Sequence, residues 1–458
     1  MTTLLLVRRR ALLACALVML AGCSREQLLE VSTPDQIRPD DAASPAGALA
    51  LRAAAIGNFS NFYSGTANVG VNLYVGLLSD ELINARPGAD HIDQRQFNEN
   101  VFPNTTWNNF SNAHSQIIRA VTALNKYSPA GATRSSQISD LYARQAVGLS
   151  IAGELFCNGV PLANGDDVNP VFTTMSNAQL FTRALTQADS ALTVSSAADV
   201  NTRYLARIAK ARALINLGRF PDAAAAVAAG GDGAGSIAVP TSFVFNTEYS
   251  ATTLVNTIFD WMVNTANFGP SDREGGNGLP FRTARDPRVV IGTTSRLGQD
   301  GSTQVFTVQG YPNGASPTNL ATGVEARLIE AEAAQKAGNV TASLAALNAA
   351  RADAGVRTAR GIVTPAVGPD PLPPLTDPGT DETRVTQIFT ERAFWMYLTA
   401  HRVGDLRRQV RQYTRAATSV WPSGAYFKGG TYGADQNITP SFAERNNPTY
   451  TGCTDRSP

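Results

Sequence analysis

The join Leu217-Gly218-Arg219-Phe220, entered through Ala206, Ala209 and Ala213, leaves this chain few ways to fold. Glycine after a helix supplies a left-handed stop, and an aromatic residue just beyond it can pack back on the helix it has left. Alanines three and four apart lie on one helical face and let a second helix approach closely. The pattern predicts helices over residues 202–217 and 221–228 folded on one another, with a further helix over 177–192 before them. It recurs from Val324 to Ala337, turns at Gly338-Asn339 and continues from Thr341 to Ala354, stopped by Gly355. Leu328, Ala331, Leu344 and Leu347 would form the seam of that second pair.

Helix pairs with small residues at the contact and an L-G-x-aromatic turn resemble the tetratricopeptide (TPR) unit, which must stack on neighbours to bury its apolar side. Apolar spacing predicts further helices from Ala48 to Phe62, Trp107 to Leu124 and Ser136 to Phe156. Strand signals are confined to Val289–Thr294 and Gln304–Val308, joined through Gly298-Gln299-Asp300-Gly301. Residues 84–106, 230–256, 267–287, 361–380 and 418–458 read as irregular, and loops of such length in a compact protein usually carry function or are disordered. With 458 residues, 43% of them hydrophobic, the chain can bury a large core. The expected fold class is mainly α: a TPR-like helical-hairpin scaffold with long irregular loops and at most a short β-hairpin.

The amino terminus predicts where such a body is held. Arg8, Arg9 and Arg10 precede a short apolar run from Ala11 to Leu20, which ends in Leu20-Ala21-Gly22-Cys23. Cationic start, apolar core and small residues before a cleavage point form a secretory signal. Its core falls short of the about 20 residues that span a bilayer. A cysteine directly after the cleavage point is the acylated position of a bacterial lipoprotein, so residues 1–22 read as signal peptide, Cys23 as the lipidation site and 23–47 as anchor and tether. The remainder, 48–458, reads as one binding domain. Ser24, where an aspartate would retain a lipoprotein at the inner membrane, resembles the pattern sorted to an outer membrane. Lys and Arg total 38 against 37 acidic residues, and loss of the signal with its three arginines leaves a net charge of −2. No basic excess suggests nucleic-acid binding.

Of the four cysteines, Cys15 leaves with the signal and Cys23 carries lipid. Cys157 and Cys453 remain as a pair in an oxidising compartment and are expected to form a disulfide, two separate thiols being the alternative. In the chain-entropy model a loop this long contributes about 5 kcal/mol.

Several motifs then follow in order. Leu29-Glu30-Val31-Ser32-Thr33-Pro34 comes after the anchor, then Ser79-Asp80-Glu81 and the segment Cys157-Asn158-Gly159-Val160-Pro161-Leu162. Asp286-Pro287-Arg288, Glu325 to Ala333 with its A-E-A ending, and Leu347-Asn348-x-x-Arg351-Ala352 come next. The last runs from Glu391-Arg392-Ala393-Phe394 to His401-Arg402-Val403-Gly404-Asp405-Leu406-Arg407-Arg408. Together these resemble the SusD/RagB family of outer-membrane nutrient-binding lipoproteins. The final motif is similar to the family's E-R-x-x-E-L-x-x-E-G-x-R-x-x-D-L-R-R. Trp395 replaces its second glutamate, and Thr399-Ala400 stands where the family has Glu-Gly.

The charged residues in helices 325–333 and 391–408 sit among Leu and Ala, which suits ion pairs between neighbouring helices. Glu325, Glu332, Glu391, Asp405, Arg402 and Arg407 are expected to include buried Arg–carboxylate forks. His401 and Asp405 lie a turn apart, yet three histidines with no H-E-x-x-H and no paired C-x-x-C predict a structural histidine and no metal centre. Asn164, Asp166, Asp167 and Asn169 form an oxygen-rich loop without the EF-hand spacing and read as solvated. Gly230 to Gly235 has Ser236 where a phosphate loop needs lysine, and no G-x-S-x-G or S-x-x-K is present, so neither a catalytic residue nor a cofactor is expected.

A binder of sugars or peptides needs flat aromatic faces rimmed by amides, carboxylates and arginine, carried on loops. One loop offers Arg86, His91, Asp93, Arg95, Asn98, Asn100 and Phe102. The other offers Trp261, Asn267, Phe268, Asp272, Arg273, Asn277 and Arg282, with Trp421, Tyr426 and Tyr432 as further candidates. Trp107 and Trp395 fall in helical patterns and read as core. The resemblance implies a lipid-anchored protein on the cell exterior that captures an oligosaccharide, or secondarily a peptide, for a SusC-like TonB-dependent transporter. A TPR scaffold for outer-membrane assembly and a lipid-anchored hydrolase are the alternatives.

Overall fold

The computed structural model describes residues 43–65, 69–97, 103–165, 171–233, 235–352 and 372–456. The expected signal segment and Cys23 lie outside them, as do Asn98, Asn100, Phe102, Asp166, Asp167 and Asn169. Helix α1 (Pro45–Ser64) begins inside the span expected as tether, three residues before Ala48. The start is set by Ser44, whose hydroxyl accepts from Gly47 N at 3.0 Å, and by Pro45, which suits a first helical turn.

Helices dominate, as expected. After α2 (Val71–Leu78) and the single turn α3 (Asp90–Asp93), α4 (Pro103–Tyr127) packs on α1, and each following helix packs on the one before it. The series runs through α5 (Ala132–Leu155), α6 (Asn177–Val194), α7 (Val200–Asn216), α8 (Phe220–Val227), α9 (Gly323–Lys336) and α10 (Val340–Ala352). The two turns singled out in the sequence close alike. Arg219 N donates to Leu214 O around Gly218 at φ 74°, and Asn339 N donates to Ala334 O around Gly338 at φ 72°. Both are the six-to-one bond of a glycine-stopped helix. The core is rich in rings: Trp107 meets Phe156 edge-on at 5.0 Å, and Phe110 lies 5.7 Å from Phe62.

Strand content exceeds the one expected hairpin. Among the described residues there are four two-stranded antiparallel ladders. The expected hairpin is β6 (Ile291–Leu297) with β7 (Gln304–Val308). The others pair β1 (Leu82–Asn84) with β5 (Phe268–Pro270), β2 (Val160–Ala163) with β3 (Phe172–Met175), and β4 (Val244–Thr247) with β8 (Thr318–Thr322). Strands of three to five residues carry too little alternation to stand out, and two of these ladders join segments far apart in sequence.

The Cys157–Cys453 disulfide is present, with Cα atoms 5.8 Å apart across a sequence separation of 296. It is one of several ties on the carboxyl-terminal strap. Cys157 N donates to Ile438 O, Asn158 N to Asp455 O, and Thr174 Oγ1 to Thr449 O.

Leu29 to Pro34 lies outside the described residues; the charged motifs from Asp80 onward converge inside the molecule. The continuous helix expected over 391–408 is two helices, α11 (Asp381–Trp395) and α12 (Arg402–Tyr413), joined by a tight turn. Arg392 of α11 forks onto Asp405 of α12, with Nε 3.0 Å from both carboxylate oxygens. Arg408 bridges Asp405 and Glu332 of α9, each at 3.0 Å. Arg402 forks onto Asp80, beyond α2, at 2.6 and 2.8 Å. Arg288 and Arg351 each reach Glu391 at 2.7 Å, and Arg212 of α7 forks onto Glu325 of α9 at 2.8 and 2.7 Å. Arg407 departs from the expected fork: its Nη1 donates to the main-chain oxygens of Gly153, Glu154 and Phe156 and caps the end of α5. His401 Nδ1 lies 3.3 Å from Glu154 Oε2. Among the described residues no group of three His, Cys, Asp or Glu side chains is placed to hold a metal ion.

These pairs are almost dry, with Arg212 and Glu325 side chains 2% and 0% exposed. Burial works to raise the Glu325 pKa, but Arg212's charge and hydrogen bonds outweigh it and leave the carboxyl below its ordinary value. Glu325→Gln strands the Arg212 charge and should cost about 3–5 kcal/mol in urea unfolding; a loss below about 1 kcal/mol would contradict a stabilising fork. The turn between α11 and α12 carries its own cost. Ala400, where the resembled motif has glycine, sits buried at φ 65°. A left-handed L-residue costs about 1–2 kcal/mol, partly offset by glycine's extra freedom when unfolded. Ala400→Gly should therefore raise unfolding stability by about 0.5–1 kcal/mol.

Candidate ligand-binding face

The two loops that offered candidate residues are neighbours because β1 and β5 pair, with Asn84 opposite Phe268 and Leu82 opposite Pro270. Trp261 stands on a π-helical turn, Ile258–Asn264, just before β5. The Arg86 guanidinium lies 4.8 Å from the Trp261 ring centroid, and the Phe268 ring stacks on the same indole at 5.4 Å. Phe268 is 1% exposed, so it supports the indole from within and offers no face to a ligand. Asn267 is also buried, its amide donating to Thr265 Oγ1. Both residues are drawn inward by the ladder, which the sequence reading placed in an open loop. Asp272 accepts from Thr283 N and Oγ1 and lies 3.3 Å from Arg282 Nη2, while the Arg282 guanidinium sits 4.6 Å from the Phe306 ring centroid. Arg273 is exposed, with φ 56°.

A third loop, residues 421–435, locks onto the first two. Trp421 is fully buried under the Arg95 guanidinium, 4.8 Å from its ring centroid. Arg95 also donates to Pro422 O and Asp435 O, and Asn277 Nδ2 donates to Trp421 O. Gly275, at φ 60°, permits the close approach: a Cβ there would lie 2.3 Å from Ser423 N. Tyr426 donates to Asp93 Oδ2 and Tyr432 to Glu274 Oε1, both at 2.9 Å. These rings, candidates for ligand stacking in the sequence, are therefore internal pins. His91 is half-buried beside them on α3, with burial lowering its pKa.

What reaches solvent is a smaller set. Lys428 Nζ lies 2.8 Å from both Asp90 and Asp300, tying the third loop to the β6–β7 turn. Phe427 beside it is 47% exposed. Neither stood out in sequence, although Tyr426-Phe427-Lys428-Gly429-Gly430 has the ring-and-glycine make-up of a tight turn, closed here by the Ala425–Thr431 bridge. Arg86, Trp261, Arg273, Phe427, Lys428 and the flanking carboxylates offer ring surface, cations and hydrogen-bond acceptors, which is the chemistry of holding a polar ligand.

Beneath this face two carboxyl groups meet away from water. Asp93 and Glu274 are 0% and 5% exposed, and each keeps one oxygen, Oδ1 and Oε2, with no ordinary hydrogen-bond donor. Burial, opposed by hydrogen bonds including one with Glu274, pushes Asp93 up to about 6. Burial and the Asp93 charge raise Glu274 well above the usual carboxylate range. Both shifts favour one proton kept between the two carboxyls, with Tyr426 and Tyr432 donating from outside. Raised folded-state pKa values mean that stability is full at acid pH and falls as pH rises through them, by about 1.4 kcal/mol per pH unit for each proton released. Glu274→Gln supplies a permanent N–H to Asp93. Its melting temperature relative to wild type should therefore rise between pH 5 and pH 9, and parallel profiles would refute the shared proton.

No protein-family model matches the sequence, nor does any curated protein. Solved structures do match. A SusD/RagB family protein from Bacteroides thetaiotaomicron is similar over 80% of this chain and 89% of its own, with 14% identity and a TM-score of 0.58. A SusD-like carbohydrate-binding protein from Bacteroides vulgatus is similar over 79% and 83%, with 11% identity and a TM-score of 0.54. A laminarin-binding SusD-like protein matches over 83% and 96%, with 15% identity and a TM-score of 0.52. The structural overlap covers about four fifths of this chain and more of each neighbour, and on that agreement this protein has the SusD-like fold.

Proposed function

We propose that the chain is a SusD/RagB-type lipoprotein, anchored through Cys23 on the outer membrane, that binds extracellular oligosaccharides and passes them to a SusC-like TonB-dependent transporter. The observation that carries this reading is the SusD-like fold, shared over about four fifths of the chain with proteins described as carbohydrate-binding and laminarin-binding. The loop face supports it, since Trp261 and Phe427 present ring surface to the apolar side of a sugar while Arg86, Arg273, Lys428 and Asp300 meet its hydroxyls. Binding is reversible and the protein makes or breaks no bond. The ion-paired helices keep the three loops in register, so little ordering entropy is lost when ligand arrives. Peptide is the second ligand class, because guanidinium and carboxylate groups on the same face suit it equally.

A glycan array that includes laminarin, run beside a peptide library on the full chain, should find at least one oligosaccharide ligand without release of reducing ends. Trp261→Ala should weaken that ligand about tenfold, or about 1.4 kcal/mol. Turnover of the glycan by pure protein, or affinity unchanged by the substitution, would refute the reading. Cys23→Ser should move the protein from the outer-membrane fraction to the soluble one; an unchanged distribution would remove the anchor.

A further inference from the structure

A second concavity lies away from the loop face, between α4, the β2–β3 ladder and the carboxyl-terminal strap. Its volume is about 220 Å³, and Ser111, Gln116, Arg119, His114, Phe172 and Glu444 are among its lining residues. Sites for drug-sized ligands are roughly 300–1,000 Å³, so this one has room for a single ring.

Its walls are fixed by contacts on two sides. On one side, Asn164 N donates to Val171 O and Val171 N to Asn164 Oδ1, which closes the β2–β3 connection. Gly165 then presses against α4 so tightly that a Cβ would lie 2.7 Å from Ile118. On the other side, Glu444 is held on the strap by Trp107 Nε1 at 2.7 Å and Asn447 Nδ2 at 3.1 Å. The strap itself is pinned by the Cys157–Cys453 disulfide.

One lining residue is a buried histidine. His114 is 3% exposed and stacks on Phe110. Its Nδ1 lies 3.2 Å from Gln145 Nε2, which can only donate, so the ring proton is on Nε2. Nε2 makes no hydrogen bond of ordinary geometry, is closed off from solvent and has the Ala163 carbonyl as its neighbour, so His114 shapes the wall of the cavity. Burial and then the Arg183 charge pull the imidazole down to about 3, against the nearby Ala163 carbonyl, so it remains a neutral N–H donor at physiological pH.

We propose that this cavity is a second subsite, taking one neutral, hydroxyl-rich ring such as a monosaccharide or the terminal unit of a glycan. Arg119 and Glu444 put both signs of charge in its wall, so a free anion or a free cation would each meet a like charge there. Hydroxyl and amide groups of Ser111, Asn112, Ser115 and Gln116 can exchange hydrogen bonds with a polyol, while Pro161, Leu162 and Phe172 face its apolar side. The ligand class rests on the carbohydrate reading above; the site does not depend on the loop face.

Two indoles make the two sites separately visible. The chain has four tryptophans; the Trp107 N–H bonds to Glu444 at the cavity wall, and Trp261 stands on the loop face. In two-dimensional NMR of the full chain in detergent, with indole signals assigned through Trp107→Phe and Trp261→Phe, neutral monosaccharides at millimolar concentration should shift the Trp107 N–H saturably. Ser111→Phe, which fills the cavity from a half-exposed position, should abolish that shift and leave the response of Trp261 to oligosaccharide intact. A Trp107 signal that no monosaccharide moves, or that moves equally in Ser111→Phe, overturns the subsite. Loss of the Trp261 response alone overturns the loop face and leaves the cavity standing.

Discussion

Arginine forked onto carboxylate in a dry interior is the constraint on which the rest of this molecule depends. Asp405 is the pivot, because Arg392 and Arg408 both reach it and Arg408 continues to Glu332. Together with Arg402–Asp80, Arg288–Glu391 and Arg212–Glu325, these pairs connect segments that are adjacent in space and distant in sequence. An apolar core would tolerate small slides of one helix on another. A planar guanidinium facing a carboxylate at 2.6–3.0 Å does not, since any slide leaves a buried charge without its partner. The network therefore specifies register as well as cohesion.

Register in the helices is what places the loops. Asp80, whose main-chain oxygen also accepts from Ser271, stands between the Arg402 fork and the β1–β5 ladder. Leu279 N donates to the second Asp80 oxygen, so one residue orients both candidate loops against α12. Lys428 and the tyrosines of the third loop then fasten to positions already settled.

The sequence made the helical hairpins legible because their signal is local. Gly218 and Gly338 announce turns that need nothing beyond six residues to close. Some of the buried acids were readable too, since Glu325, Glu332, Glu391 and Asp405 fall at helical spacings among Leu and Ala, whereas Asp93 and Glu274 lie in loop segments that give no such sign. Their partners were harder to see. Arg212 lies in an alanine-rich helix and gives no sign of the carboxylate 113 residues away that it meets. The ladder between β1 and β5 has three residues a side, too few for a periodic signal. That gap misplaced Phe268 and Asn267 on the surface. Trp421, Tyr426 and Tyr432 misled in the same way, for their burial is conferred by Arg95, Asp93 and Glu274 from other loops and by nothing in their own stretch.

The crosslink between Cys157 and Cys453 has a consequence for biogenesis. It stitches a residue just after α5 to one near the carboxyl end of the chain, so the covalent ring encloses nearly everything from α6 to the strap. Such a ring cannot be sealed until residue 453 has left the ribosome. A polypeptide cut short before that point lacks the clasp, and an oxidised Cys157–Cys453 pair becomes a mark that synthesis passed residue 453.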